Sequence, residues 1–311
     1  MEAGEVIGCR GKHATPFMNN DLQRERDACP PKLESEGGLR ACLVYNYSMK
    51  IASLSPAVTE ILFALEQQKF VVCTDQFSDF PEAAKAIPHL KDHQKIDVDA
   101  LRVFNPEVVF TSTLVQEKLA KKLKEEGFGV IFQDPRSVPE IYESIREIGT
   151  ILGCEPRAHA LIETMQQGFN DTKRKAGLLH RKAKVYVEEW HHPPMVSGNW
   201  VPEVVKIAGG ISFPISSAGI PARDPGKNPP SREVSLAEIQ TFDPDLIVLS
   251  ICGAGSVASK ELLTARAGWN ELRAVSENHL FVIDDSLLNR PGPRLTEGAK
   301  RLFGWMFQVL H

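Results

Sequence analysis

Two segments of this chain repeat one local pattern 138 positions apart, and that repeat constrains the fold more than any other feature. Val98–Phe104 runs into Asn105-Pro106-Glu107 and then the apolar run Val108-Val-Phe110. Leu236–Phe242 runs into Asp243-Pro244-Asp245 and then Leu246-Ile-Val248. Each reads as a short helix, a proline that stops it, and a buried strand; proline has no N–H to donate and clashes with the preceding turn. The period is too long for a solenoid and suits two similar α/β lobes. Continuous apolar runs such as Leu246–Leu249 fit parallel strands covered on both faces.

Between the lobes, Ile141, Ile145, Ile148 and Leu152 are spaced four, three and four, and Ala158, Leu161, Ile162, Met165 and Phe169 continue the pattern after Pro156. The spacing predicts a long helix over about 156–178, a stiff spacer between lobes. The expected plan is a disordered tail over 1–38, an N-terminal α/β lobe over 39–138, a helical interlobe segment over 139–180 and a C-terminal α/β lobe over 181–311. The tail mixes Gly, Pro, Asn and charges without periodicity, so nothing offsets the entropy of ordering it.

The formal net charge of −4 argues against a nucleic-acid surface. No apolar run approaches the ~20 residues that span a bilayer. Met1–Arg10 has acidic residues and no apolar core, unlike a secretory signal. The six cysteines, at 9, 29, 42, 73, 154 and 252, form no C-x-x-C pair, which suits free thiols. These features predict a cytoplasmic protein that is not embedded in a membrane.

Four segments carry candidate chemistry. In the turn Asp75–Pro81, Phe77 and Ser78 sit beside carboxylates and suit either a ligand face or a core plug. Glu188–Pro194 brings Trp190, His191 and His192 to the end of the strand Val185–Val187, with Trp200 eight residues beyond His192. Adjacent histidines on a strand point to opposite sides, and no further zinc ligands accompany them. Cys252, Gly253 and Gly255 through Ala258 fit the dinucleotide pattern G-x-G-x-x-A after a strand; the acidic residue expected ~20 positions later is not cleanly placed, so a Gly-rich turn at a cleft is the simpler reading. Arg290-Pro-Gly-Pro-Arg294 leaves the strand Leu280–Ile283 sharply, because two prolines fix φ around a permissive glycine. A rigid loop at a strand end is a usual place for a ligand.

Taken in order, Lys50–Pro56, Ser78-Asp-Phe-Pro81, Asn105-Pro-Glu107, Trp190–Pro194 with Gly198-Asn-Trp200, and Asn289–Arg294 resemble the cobalamin and iron-siderophore substrate-binding proteins of ABC importers, over residues 49–308. The resemblance is greatest to the cobalamin-binding branch that lacks export signals. It implies two Rossmann-like α/β lobes, a long rigid interlobe helix and a ligand cleft between the lobes. It implies a non-catalytic binder of cobalamin or another metal chelate (corrinoid, siderophore or haem), with no obligatory cofactor. Phe77 matches an aromatic that packs on the corrin; Trp190, Trp200 and the loop at Arg290 would line the opposite lobe, with Ser78, Cys252, Gly253 and Arg294 beside them. His191 or His192 is a candidate axial ligand. His93 stands where cobalamin importers place another aromatic.

The chain departs from the resemblance in its docking acids. Asp99 occupies the first permease-docking position, but Ala237 occupies the second. Glu238 beside it lies ~100° around the helix, so permease docking is doubtful. Two enzyme readings stand beside the binder: His191 or His192 as acid or base on the same scaffold, and an oxidoreductase using the Gly253–Ala258 turn.

Overall fold

The computed structural model of the chain describes residues 49–215 and 228–311. The expected tail over 1–38, and the start of the ordered chain near Leu39, lie outside the described residues.

Strands β1 (Ile51–Ser53), β2 (Val71–Asp75), β3 (His89–Leu90), β4 (Val108–Ser112) and β5 (Val130–Gln133) form a parallel sheet in the order β3-β2-β1-β4-β5. This is the Rossmann order, in which the strand sequence reverses between β1 and β4. Helices α1 (Pro56–Ala64), α2 (Val98–Val103) and α3 (Glu117–Glu125) accompany it. Helices α4 (Val138–Ile151) and α5 (Glu155–Ala176) then lead to the second lobe.

There, β6 (Lys184–His191), β10 (Leu246–Leu249) and β11 (Leu280–Val282) are parallel neighbours. The outer edge of β6 is shared. Strand β8 (Ile211–Ser212) pairs parallel with its start, and β7 (Pro194–Val196) pairs antiparallel with its end. Strand β9 (Arg232–Glu233) completes the sheet against β7. Helices α6 (Val201–Ile207), α7 (Leu236–Phe242) and α8 (Leu295–Leu310) belong to this half.

The repeat seen in the sequence is structural. Helix α2 leads through Asn105 and Pro106 into β4, and α7 through Asp243 and Pro244 into β10. Asn105 (φ 46°) and Asp243 (φ 48°) both adopt the left-handed conformation, at equivalent positions of the two units. Asn and Asp tolerate it because their short polar side chains bond locally.

Helix α5 spans 22 residues, or ~33 Å at 1.5 Å per residue. It buries Ala158, Ile162, Met165, Phe169 and Thr172, one stripe at helical spacing. The first four share a continuous core with Ile51 and Phe110 of the first sheet, Val185 and Val248 of the second, and Leu302 of α8. Gly149 permits the close crossing of α4 and α5: a Cβ there would lie 2.6 Å from that of Ala158.

Candidate functional site

In open α/β sheets, ligands bind outside the carboxyl ends of the strands, at the point where strand order reverses. In the first lobe that point lies between β1 and β4. Gln116, fully buried just after β4, ties it together: Nε2 donates to Leu54 O (2.5 Å) and His93 O (2.9 Å), and Oε1 accepts from Ser112 N (2.8 Å). Asp75, at the end of β2, is equally buried. Its Oδ1 accepts from Ser78 Oγ (2.6 Å), and its Oδ2 lies 2.7 Å from His93 Nδ1. Ser78 Oγ is also 2.8 Å from Thr59 Oγ1. Ser78 is therefore 5% exposed, a strut within the network, whereas Phe77 beside it is 41% exposed. The Phe77 ring meets His93 edge-on, with centroids 5.7 Å apart and planes at 77°.

In the second lobe, β6 continues through His191, longer than the expected strand Val185–Val187, and turns directly into β7, with His191 opposite Pro194. Trp190 is 41% exposed, and its indole N–H donates to His192 O (3.0 Å), which fixes the ring on its own hairpin. His192 is exposed, and His191 is half-buried with an Nδ1 that has no hydrogen-bond partner among the described residues. Glu189 is the unusual acid of this edge. Desolvation by burial, opposed by a hydrogen bond with Ser231, pushes its carboxyl up to about 6.

That shift gives a testable pH dependence. A carboxyl whose folded value is raised contributes stability that is fully present below its ordinary value, near 4.5, and lost as pH rises through about 6. Glu189→Gln is therefore expected to gain on the wild type by roughly 2 kcal/mol between about pH 4 and about pH 7.5. Thermal melts at both ends check it; a pH-independent difference would contradict it.

The Gly253–Ala258 turn does not offer a nucleotide site. Its amides are already taken: Gly255 N donates to Asp285 Oδ1 (2.7 Å) and Gly253 N to Asp285 Oδ2 (3.1 Å). A phosphate would have to displace a carboxylate and then sit beside it. A three-residue 3-10 turn, Gly255–Val257, follows in place of the helix whose N-terminus a dinucleotide needs. The oxidoreductase reading is corrected on these grounds. Cys252 is exposed as a residue, yet desolvation and then the charges of Glu189 and Asp285 push its thiol up to about 12. It is a neutral thiol at neutral pH, not a thiolate ligand.

Trp200 is also corrected. It is 4% exposed, packs in the core, and donates from its indole N–H to Leu288 O (2.7 Å). It supports the 288–294 loop from within and presents no face to a cleft. Its neighbours form a joint between lobes. Glu203 Oε2 accepts from Val138 N (2.8 Å), capping α4, and Asn228 Nδ2 donates to Glu203 Oε1 (2.7 Å), Asn199 O and Arg136 O (both 3.0 Å). Gly198 fits only because it lacks a side chain: a Cβ would lie 2.3 Å from backbone atoms of Pro230 and Ser231.

Arg290 and Arg294 reach across to the first lobe, and their charges are matched there. Glu60 on α1, with a side chain 2% exposed, accepts from Arg294 Nε (2.9 Å) and Nη2 (2.6 Å) and from Arg290 Nη1 (3.1 Å). Arg290 Nη1 also donates to Asp79 Oδ1 (2.7 Å), and the Arg294 guanidinium lies 4.0 Å over the Phe80 ring. Burial works against the Asp79 charge, but the Arg290 hydrogen bond and charge prevail and hold its carboxyl below the usual range. The two arginines thus join the lobes. They place the turn carrying Phe77 against the loop after β11, so the carboxyl ends of the two sheets face each other. Glu60, Asp75, Gln116 and Asp285 were not singled out as ligand-site residues from the sequence, and His93 was marked only as standing at an aromatic position of cobalamin importers; the one available signal for the others was a lone carboxylate, Glu60, within the apolar helix Thr59–Leu65.

The family described as periplasmic binding protein matches residues 51–287. YvrC of Bacillus subtilis, an uncharacterized ABC transporter substrate-binding lipoprotein, is 27% identical over 262 residues, covering 81% of this chain and 78% of that one. The vitamin B12-binding protein of Vibrio cholerae is 22% identical over 258 residues, covering 81% and 87%. The periplasmic heme-binding protein RhuT of Roseiflexus sp., in apo form, superposes with a TM-score of 0.71 at 22% identity, covering 85% and 99%, which establishes the common two-lobed fold. These relatives are binding proteins by name, and the His-assisted enzyme reading finds no support among them. With its paired α/β lobes, connecting helix and facing carboxyl edges, the chain belongs to the periplasmic binding protein family of substrate-binding proteins.

Proposed function

We propose that this protein holds a corrinoid, a flat metal macrocycle with an uncharged amide rim, between the carboxyl edges of its two sheets. One observation carries the reading: the edges offer exposed aromatic surface, while the arginines beside it are already neutralised. Phe77 and Trp190 are each 41% exposed, whereas Arg290 and Arg294 are bound by Glu60 and Asp79. Apolar ring faces bury a macrocycle. Matched guanidinium groups leave little for the propionates of haem or the anionic groups of a ferric siderophore, and that favours a corrinoid, whose amide rim carries no anionic groups. The relatives' printed ligands, vitamin B12 and heme, lie in the same chemical class.

Holding, more than docking through paired acids, is the role proposed. Asp99 is 96% exposed and available at the first docking position. At the second, Glu238 beside Ala237 is committed to the capping box of α7 and to Arg232 Nη2 (2.8 Å).

Calorimetric titration with hydroxocobalamin, haemin and a ferric hydroxamate siderophore tests the reading. The corrinoid is expected to bind most tightly. Trp190→Ala is expected to weaken it by about 10–100-fold, or roughly 1–3 kcal/mol of lost burial and stacking, with the melting temperature unmoved. Tighter binding of haemin or siderophore would overturn the choice of ligand. A fallen melting temperature with intact affinity would make Trp190 a structural residue.

A further inference from the structure

The imidazole best placed to act on a bound metal is neither of the adjacent pair at 191–192. Of the histidines in the described residues, His93 is the one held by a buried carboxylate: its Nδ1 lies 2.7 Å from Asp75 Oδ2, and the Asp75 side chain is fully buried. A second donor lies nearby, Gln116 Nε2 at 3.3 Å from Nδ1, but its two protons go to Leu54 O and His93 O. A carboxylate only accepts, so Nδ1 carries a proton, and in the neutral imidazole the lone pair then belongs to Nε2. Nε2 has no hydrogen bond among the described residues. The ring is 22% exposed, so it is reachable and also confined.

This is how proteins prepare a histidine to bind metal. The ring nitrogen away from the metal donates to a carboxylate, which fixes the tautomer and raises the basicity of the other nitrogen. The carboxylate is itself fixed here, because Ser78 Oγ holds its other oxygen at 2.6 Å. Orientation fits too. The Phe77 ring, 41% exposed, stands at 77° to the imidazole. A macrocycle lying flat on Phe77 would therefore meet the imidazole nearly upright, the attitude an axial ligand needs. The position is at the reversal of strand order, because Gln116, which follows β4, also binds the backbone of His93.

We infer that His93, oriented by Asp75, supplies an axial nitrogen to the metal of the bound macrocycle, and that the site accordingly favours a corrinoid whose lower axial position is open, one lacking its own nucleotide base or with that base displaced. The inference rests on the corrinoid reading above. Nε2 donates its lone pair to cobalt and a coordinated water leaves; no electron is transferred.

The test uses diaquocobinamide, which has no base of its own, and cyanocobalamin, with calorimetry run beside visible spectra. The wild type is expected to shift the visible bands of diaquocobinamide to those of an imidazole adduct, and to bind it at least 10-fold more tightly than cyanocobalamin. His93→Ala and His93→Gln are expected to lose the shift while retaining calorimetric binding. Asp75→Asn is expected to weaken ligation by about 10–100-fold. His191→Ala and His192→Ala are expected to leave the shift intact. With the cobalt reduced to its paramagnetic state, labelling the protein's histidines with nitrogen-15 is expected to change the nitrogen splitting in the electron paramagnetic resonance spectrum, which no purely structural role would do. Binding without a band shift, or a shift that survives in both His93 variants, overturns the inference and leaves the corrinoid reading standing. No binding of either corrinoid overturns both.

Discussion

Glu60→Ala is expected to destabilise the protein by about 3 kcal/mol, and to lower its melting temperature by roughly 6–12 °C. The cost arises from what remains. Arg290 and Arg294 have side chains 15% and 20% exposed, and Glu60 is their shared partner. Without it, two guanidinium groups face each other with only Asp79 nearby. Breaking a buried pair from one side costs about 3–5 kcal/mol; partial exposure of the arginines and the retained Asp79 place this case at the low end. Adding Arg294→Met to Glu60→Ala is expected to recover part of the loss, because it removes one unmatched charge. A double-mutant cycle measures the coupling. The substitution also tests ligand choice. Freed guanidinium groups would suit propionates, so haemin affinity is expected to rise relative to the wild type. Unchanged melting would mean that the two lobes are joined by other contacts.

Arg266→Ala is expected to cost as much or more, about 3–5 kcal/mol, because its partner is completely buried. Glu188 on β6 has a fully buried side chain, held bidentately by Arg266 at 2.6 and 2.8 Å, with Tyr186 donating to it at 3.0 Å. Loss of the guanidinium leaves a carboxylate inside the second core with one neutral donor. The packing of Arg266 on Trp269, 4.6 Å from ring centroid to guanidinium, goes with it. Adding Glu188→Gln is expected to restore much of the stability, since the buried charge is then gone. Chemical denaturation of the single and double variants decides; equal stability of the two would show that the charge is not the source of the loss.

Legibility followed the range of the interactions. The two-lobed plan was readable because it is written in local terms: a short helix, a proline that stops it and a buried strand, repeated from Pro106 to Pro244. The interlobe helix was readable from one stripe, Ala158 to Phe169. The exposed aromatics Phe77 and Trp190 were marked by their turns. What escaped was complementarity at long range. The pairing of Arg290 with Glu60 was not legible because the two stand 230 positions apart, and no local pattern joins them. The dinucleotide reading of the Gly253–Ala258 turn stayed open beside the simpler one, a Gly-rich turn at a cleft, because nothing nearby announces that Asp285 takes its amides. Trp200 was placed on the ligand face by the resemblance, and the local sequence could not correct this because a tryptophan near a turn reads alike whether its ring points outward or into a core. The Asp75–His93 pair joins the ends of two segments that the sheet alone brings together.

The central claim is that a corrinoid sits between the facing carboxyl edges of the two sheets. Amide hydrogen exchange of the full chain, with and without saturating diaquocobinamide, tests it most directly. Slowed exchange is expected in the turn 75–80, around 93, in the hairpin 189–192 and in the loop 289–294, with helices α3 and α7 unchanged. Protection confined to one lobe or located away from these edges, or none at saturation, would contradict it.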